Sequence, residues 1–522
     1  MAKRAHVPAA GALPLAAPLA VLALLMASPC RADWRITPSV ELRRLYSDNV
    51  QLTTDQLARS QFITDLAPSL AIANRGPRLK LSAAFTTHLF AYSDDRIGGT
   101  NRSQRQLAAN ARAKLIEDLL FFDATASIDQ RAVSAFGPQV AANGYAAINR
   151  TEVSTWRLSP YLAHRFGPAA TAELRYARDS LKSGNAGLGD SIGNSVGNTV
   201  STSVTSGPAL RTFGWGMRAN HHTFDSTRGG QSTEDTASAQ LNWRWSEPLS
   251  FNLNRGYDKY AYAALAGDTG GPSYSLGLAW TPSRRTQLQA SAGKRYYGNS
   301  YMLNGTHRSR HSVWNLSYND TVTTTRGEFL RPLSVDTASL LDGLFSATIA
   351  DPEARRQAVD AYIRTNGLPA STIQNSNYFS NRYFLQKQFL MSAAFNTAKT
   401  TTMVSLTATR RNALSLQQAA STVPGIPDSL NDATRQTSAA LSFNYRMSPR
   451  SGANLIVSKT RSESPATAIQ SKQLLLSMGM TRQLQKKLRG AVELRRVGGN
   501  ALALGGRTYR ENAVSASLSQ QF

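Results

Sequence analysis

The feature that most constrains this chain is an alternation of period two that recurs, in paired runs, along most of its length. In "SAQLNWRWSEPLSFNLNRGYDKY", Ser238 to Tyr260, one parity holds Leu241, Trp243 and Trp245 and the other holds Gln240, Asn242 and Arg244. After Ser-Glu-Pro the pattern resumes, with Leu249, Phe251 and Leu253 against Ser250, Asn252 and Asn254. Successive side chains of a β-strand point to opposite faces. Each run therefore reads as a strand with one apolar and one polar face, and the Pro-containing break as a hairpin turn.

The unit repeats. Leu79, Leu81, Ala83, Phe85 and Leu89 oppose Lys80, Ser82, Thr86 and His88, and Phe122, Ala124, Ala126 and Ile128 oppose Asp123, Thr125, Ser127 and Asp129. Trp156, Leu158, Leu162 and Phe166 oppose Arg157, Ser159 and Arg165, and Ala170, Ala172, Leu174 and Tyr176 oppose Thr171, Glu173 and Arg175. Later stretches such as "YSLGLAWTPSRRTQLQASAG", "FLMSAAFNTAKTTTMVSLTATRR" and "ALSFNYRMSPRSGANLIVSK" are again two runs around a short turn. Tight turns ("RGP", "FGP", "SEP", "TPSRR", "AKT") alternate with longer Gly/Asn/Asp/Ser-rich connections at Ser93–Thr100, Gly184–Asn194, Ser226–Glu234 and Ser415–Asn431. Short turns at one end and long loops at the other are the rhythm of an outer-membrane barrel. With "SVGNTVSTSV" and "TVTTTRGEFL" counted as strands, the total is about 22.

No run beyond the N-terminal region reaches the roughly 20 apolar residues of a spanning helix, and barrel strands, being half polar, escape such a scan. A soluble sandwich or propeller would instead pack its apolar parity inward as close-fitting aliphatics. Here that parity is rich in Ala and Leu. Its aromatic residues Trp156, Phe166, Trp243, Trp245, Trp280 and Tyr445 suit a lipid-facing girdle at the membrane interface. The predicted fold is all-β, a transmembrane antiparallel β-barrel of about 22 strands with a short helical insertion, spanning residues 33–522 in the outer membrane of a Gram-negative bacterium.

Residues 1–32 read as a cleaved signal peptide: Lys3 and Arg4 are basic, Leu13 to Ala27 is apolar, and Cys30 and Ala32 are small. Acylation at Cys30 is the alternative, but Pro29 precedes it directly. Cys30 is the only cysteine, so the mature chain is expected to hold no disulfide and no thiolate-bound metal. Strands begin almost at once after Asp33, so no separate N-terminal plug is expected, which argues against a TonB-dependent receptor. At the other end, "ENAVSASLSQQF" sets Val514, Leu518 and Phe522 on one parity, as in the last-strand signal read by the barrel assembly machinery; Gln520 departs from that pattern.

One segment, 334–369, changes period. Leu340, Leu341, Leu344 and Phe345 have helical spacing. Asp351 then serves as N-cap and Pro352 as first residue of a second helix, with Ala358, Val359, Tyr362 and Ile363 on one face and Gly367 as its stop. Two helices are predicted, either folded into the lumen or set over the outer mouth.

The formal charge is +25, with Lys and Arg spread along strands and turns. That spread does not resemble a nucleic-acid-binding patch. Arg157, Arg165, Arg175, Arg211, Arg244, Arg489 and Arg495 are candidates for a basic lumen lining that would attract a polyanion. Pairing with Glu173, Asp123 and Glu493 is the alternative. The expected partners are outer-membrane lipid and lipopolysaccharide, the assembly machinery and an anionic exopolysaccharide, with no nucleic acid.

Catalysis has little support. "GDSIG" and "GNSVG" fit the pattern of a hydrolase serine, at Ser191 or Ser195, but lie in a Gly/Ser/Asn-rich stretch without a following helix. Adjacent His221 and His222 point to opposite faces of a strand, which makes joint ligation awkward. No catalytic residue, metal or cofactor is assigned.

"ITPSVELRRLYSDNVQL" at the start of the mature chain and "VWNLSYNDTVTTTRGEF" before the insertion resemble the outer-membrane barrels called PEP-CTERM system-associated proteins, a likeness covering most of residues 33–522. The resemblance implies association with exosortase and exopolysaccharide loci and brings no residue-level activity. The expected function is a channel or scaffold for export or surface display of exopolysaccharide, with a general porin or structural barrel as the alternative.

Overall fold

The computed structural model describes residues 34–94, 102–138, 145, 149–184, 194–227, 230–262, 265, 268–330, 337–346, 349–352, 355–356, 358–359, 362–363, 382–415, 433–501 and 505–522. The signal-peptide region, Ser191, Gly367 and most of the long-loop residues lie outside them.

Twenty-two strands follow one another in chain order. They are β1 Trp34–Ser47, β2 Gln61–Arg75, β3 Leu79–Tyr92, β4 Ser103–Ile116, β5 Leu120–Ala132, β6 Arg150–Phe166, β7 Ala170–Gly184 and β8 Ser195–Ser206. Next come β9 Phe213–Ser226, β10 Gly230–Arg244, β11 Leu249–Ala261, β12 Gly270–Ser283, β13 Thr286–Arg295, β14 Gly298–Arg308 and β15 Ser312–Thr324. Two short helices, α1 Thr325–Leu330 and α2 Thr337–Phe345, precede β16 Tyr383–Asn396. The set ends with β17 Thr400–Ala413, β18 Ala433–Ser448, β19 Ser451–Ser464, β20 Ile469–Gln483, β21 Leu488–Asn500 and β22 Thr508–Gln521.

Each strand pairs antiparallel with its neighbours in sequence, and β1 pairs with β22 from Ser39↔Gln521 to Ser47↔Ala513, which closes the sheet. Hydrocarbon offers no hydrogen bonds to backbone N–H and C=O groups, so a spanning sheet must satisfy them internally and leave no edge. The strand number and the closure are those the sequence predicts.

Register then sorts the side chains. Across β9 to β12, Trp215, Leu241, Leu253 and Leu276 lie opposite one another, while Gln240 and Asn254 form the start of a polar row with Ser275. The apolar row faces outward: Leu241, Leu253 and Leu276 are 61%, 52% and 62% exposed, so they meet lipid and not a core. At the short-turn rim, the periplasmic side by the usual barrel orientation, Phe166, Phe213, Trp243, Trp245, Trp280 and Tyr445 are exposed on that face. Trp243 packs edge-on against Trp245 at 4.9 Å and stacks on Phe213 at 6.2 Å. Tyr46, Tyr176, Tyr257 and Tyr274 form the outward aromatic group toward the other rim. The protein is an outer-membrane β-barrel.

Several local expectations are corrected. Trp156 lies on the outward parity in the upper half of β6 and not beside a turn. Arg211 sits in the periplasmic turn between β8 and β9, so it lines no strand face. The long connection expected at Ser226–Glu234 shrinks to residues 227–229, because the β9–β10 ladder continues through Glu234↔His222 to Gly230↔Ser226. "TVTTTRGEFL" is strand only to Thr324, whose Oγ1 accepts the Gly327 N–H at 3.0 Å and caps α1.

The face assignment has a direct check. Leu253→Arg is expected to destabilise the barrel in bilayers by about 2–4 kcal/mol, while Asn254→Arg, facing water, changes stability little; urea unfolding of both variants measures the difference.

Candidate functional site: the lumen and its obstructions

The insertion leaves β15 at the long-loop rim yet does not stay there. Leu340, Leu341 and Leu344 of α2 form a buried cluster with Val359 and with the lumen-facing Val313, Leu390, Ala394, Met403 and Ala440 of β15 to β18. Val313 is the second residue of β15 and lies opposite Ala394 near the end of β16, so α2 reaches the periplasmic half of the lumen. The described residues of the second predicted helix (352, 355–356, 358–359, 362–363) are helical. Arg355 Nε donates to Asp342 Oδ1 at 2.8 Å, and Phe345 meets Tyr362 edge-on at 5.5 Å. Tyr362 Oη donates to Thr401 Oγ1 at 2.6 Å, tying this part to β17. Of the two placements open to the sequence, lumen or lid, α2 takes the lumen.

Helix α1 crosses the lumen at the extracellular level. The Arg326 guanidinium pairs with Asp179 of β7, donates from Nε to Ser195 Oγ of β8 at 2.9 Å, and lies 5.0 Å over the Phe224 ring of β9. Burial draws the Arg326 pKa below the ordinary arginine value, and the Asp179 carboxylate opposes that fall. Gly197 makes room for the contact, since a Cβ there would collide with the Arg326 guanidinium. Phe329 adds an apolar anchor among Val133, Val153 and Leu181. Nearby, Tyr383 at the top of β16 bonds the Ser232 hydroxyl of β10 at 2.6 Å and stacks on Tyr262 at 4.5 Å.

A second buried polar cluster lies at the long-loop end beside the β1–β22 seam. Glu511 accepts from Ser47 Oγ at 2.7 Å and pairs with Arg495 at 3.2 Å, and Tyr145 of the β5–β6 connection bonds both Glu511 and Arg495. Arg495, expected to line an open lumen, is instead buried and neutralised; its parity is inward, but Glu511 of the neighbouring strand, opposite Val497 and so one diagonal step away, pairs with it.

The remaining predicted arginines keep inward parity. Arg157 and Arg175 lie on the lumenal faces of β6 and β7, and Arg165, Arg244 and Arg489 stand on the inward parity at the periplasmic rim. Arg175 is paired, donating to Glu173 at 2.8 Å, Asp123 at 3.0 Å and Ser159 at 3.0 Å. Glu493, proposed as an arginine partner, accepts from Ser477 at 2.7 Å. The Arg175 guanidinium also lies 3.8 Å over the Tyr161 ring, which stacks on Phe121 at 5.0 Å. These groups make an accessible platform of two rings, a guanidinium and two carboxylates. It sits on β5 to β7, half-way round the barrel from the wall that holds α2.

Ser195 accepts a hydrogen bond from Arg326 and, among the described residues, has no histidine base. His221 faces outward beside Asp235 at 2.5 Å, whereas His222 faces inward beside Glu234 at 3.4 Å, which separates the pair as strand geometry requires. No cluster of three metal-ligating side chains occurs among the described residues.

No protein-family model matches this chain, and no curated protein does. Solved structures resemble it at low identity. The FrpB iron transporter from Neisseria meningitidis (F5-1 variant) is 9% identical, with a TM-score of 0.49, over 93% of this chain and 82% of that one. The siderophore receptor PirA from Pseudomonas aeruginosa is 10% identical, with a TM-score of 0.45, over 94% and 80%. PirA from Acinetobacter baumannii gives 9%, 0.45, 94% and 80%. The likeness concerns barrel architecture alone.

The Arg326 latch yields a measurable asymmetry. Arg326→Gln strands Asp179 in a buried site and is expected to cost about 3–5 kcal/mol, whereas pairing it with Asp179→Asn recovers much of that loss. Protease cleavage of the insertion in intact cells reads the opening, and Gly197→Ala should shift it in the same direction.

Proposed function

We propose that this barrel is a gated conduit for export or surface display of an exopolysaccharide, with the β15–β16 insertion as its gate. The observation that carries the reading is the division of the lumen. One wall is covered by a folded segment of the chain itself, and the opposite wall presents the Phe121–Tyr161–Arg175 platform with Asp123 and Glu173. Sugar rings offer C–H faces to aromatic side chains and hydroxyls to carboxylates and guanidinium groups, so the platform has the chemistry to hold a saccharide weakly during passage. Rows of Asn, Gln and Ser along the inward parity extend a hydroxyl-compatible surface, as in Gln240, Asn254 and Ser275. The sequence resemblance to PEP-CTERM system-associated barrels supports the same reading.

A general diffusion porin keeps a water-filled channel. The packing of α2 and the crossing of α1 favour a closed resting state over that alternative.

Planar-bilayer recording tests the proposal. The intact barrel is expected to conduct poorly, and deletion of residues 334–369 to raise conductance several-fold with anion preference. In cells, Tyr161→Ala should lower surface polysaccharide while leaving barrel abundance unchanged. High conductance of the intact protein, or unchanged surface polysaccharide when the gene is deleted, would overturn the reading.

A further inference from the structure

The outward face of β16 to β20 breaks a rule that the rest of the barrel keeps. Near the long-loop rim, Lys387, Arg410 and Arg435 lie directly opposite one another on β16, β17 and β18, and Arg461 lies opposite Lys472 on β19 and β20. Side chains directly opposite in an antiparallel pair have Cβ atoms only about 4.5–5.5 Å apart, and like charges there are destabilising. Three such like-charge pairs on five adjacent strands call for a counter-charge.

The chain supplies little of it. Glu463 bonds Arg461 at 3.1 Å, and Asp320 stands 3.9 Å from Lys387. Glu463 also lies opposite Arg435 but is bonded to Arg461; among the described residues no acidic side chain forms an ion pair with Arg410, Arg435 or Lys472, and all three are exposed. Outward cations elsewhere are arranged differently. Arg105 bonds Glu152 at 2.6 Å, Lys259 lies opposite Asp235, and Arg178 lies between Leu158 and Asn198.

Position identifies the counter-charge. Further toward the membrane on the same outward parity stand Phe389, Leu406, Leu441, Val457 and Leu474, one on each strand, with Ala408, Thr437, Ala439 and one further exposed cation, Lys459, between some of them and the rim cations. A ligand that fits both levels carries phosphate groups at the height of the cations and acyl chains along the apolar band beneath. A soluble polyanion would use the cations and leave that band unmatched.

We propose that Lys387, Arg410, Arg435, Arg461 and Lys472 form a binding site for the phosphates of lipid A in the outer leaflet. The site stands on the barrel's orientation and outer face and is independent of the export reading. It gives the like-charge rows a role: they are balanced only when the barrel sits in a lipopolysaccharide leaflet.

The test uses the full barrel in detergent and native mass spectrometry with three probes: bisphosphorylated lipid A, dephosphorylated lipid A and phosphatidylglycerol. The variant Arg410→Gln/Arg435→Gln/Lys472→Gln is expected to lose bisphosphorylated lipid A by about tenfold or more. The control Arg178→Gln/Lys259→Gln should bind as the wild type does. Dephosphorylated lipid A should bind the wild type as weakly as the triple variant binds the intact lipid. Equal binding by the triple variant, or phosphatidylglycerol binding as tightly as lipid A, would overturn the proposal. Because the triple variant must first fold, a second measurement uses the wild type alone: bisphosphorylated lipid A should raise its melting temperature, and no rise counts against the site.

Discussion

Everything in this structure depends on one constraint: inside hydrocarbon a backbone N–H or C=O can be satisfied only by another backbone group of the same sheet. That requirement seals β1 against β22 and sets every strand antiparallel to its neighbours. Once the sheet is closed, period two leaves two environments and no third. Outward residues meet lipid, and inward residues meet water or whatever else fills the bore.

This is why so much of the fold was legible. Leu241, Trp243 and Phe251 against Gln240, Asn242 and Asn252 encode both the strands and their faces, because burial by lipid and exposure to water differ at each successive residue. The misreadings arose where local pattern and tertiary context part. Thr321 to Thr324 are β-branched and extend β15 correctly, but the Thr324 hydroxyl then caps a helix, a switch that propensity does not reveal. The Asp179–Arg326 pair joins residues far apart in sequence, and nothing near either one announces the other. Arg495 was given the right direction but not its neighbour Glu511, since parity fixes a face and not the company on it.

The sequence of β16 carries a second signal. "FLMSAAF" is apolar on both parities, with Phe389, Met391 and Phe395 alternating with Leu390 and Ala394. A barrel strand needs only one apolar face. The second implies apolar cover inside the lumen, and that cover is α2. The helical spacing of Leu340, Leu341 and Leu344 and the doubled apolar face of β16 are thus two halves of one interface. Together they convert a surface connection into a segment packed inside the barrel. Arg326 at the top and Tyr362 lower down hold the same segment by polar contacts.

The face assignment is tested most directly by a cysteine scan from 249 to 254 in a Cys30→Ser background, with the barrel reconstituted in bilayers and each site probed by a lipid-soluble and a water-soluble quencher. Strict alternation is expected. Probes at Leu249, Phe251 and Leu253 respond to the lipid-soluble agent alone, and probes at Ser250, Asn252 and Asn254 to the aqueous one. Uniform aqueous access, or protection of the apolar set from both agents, would contradict it.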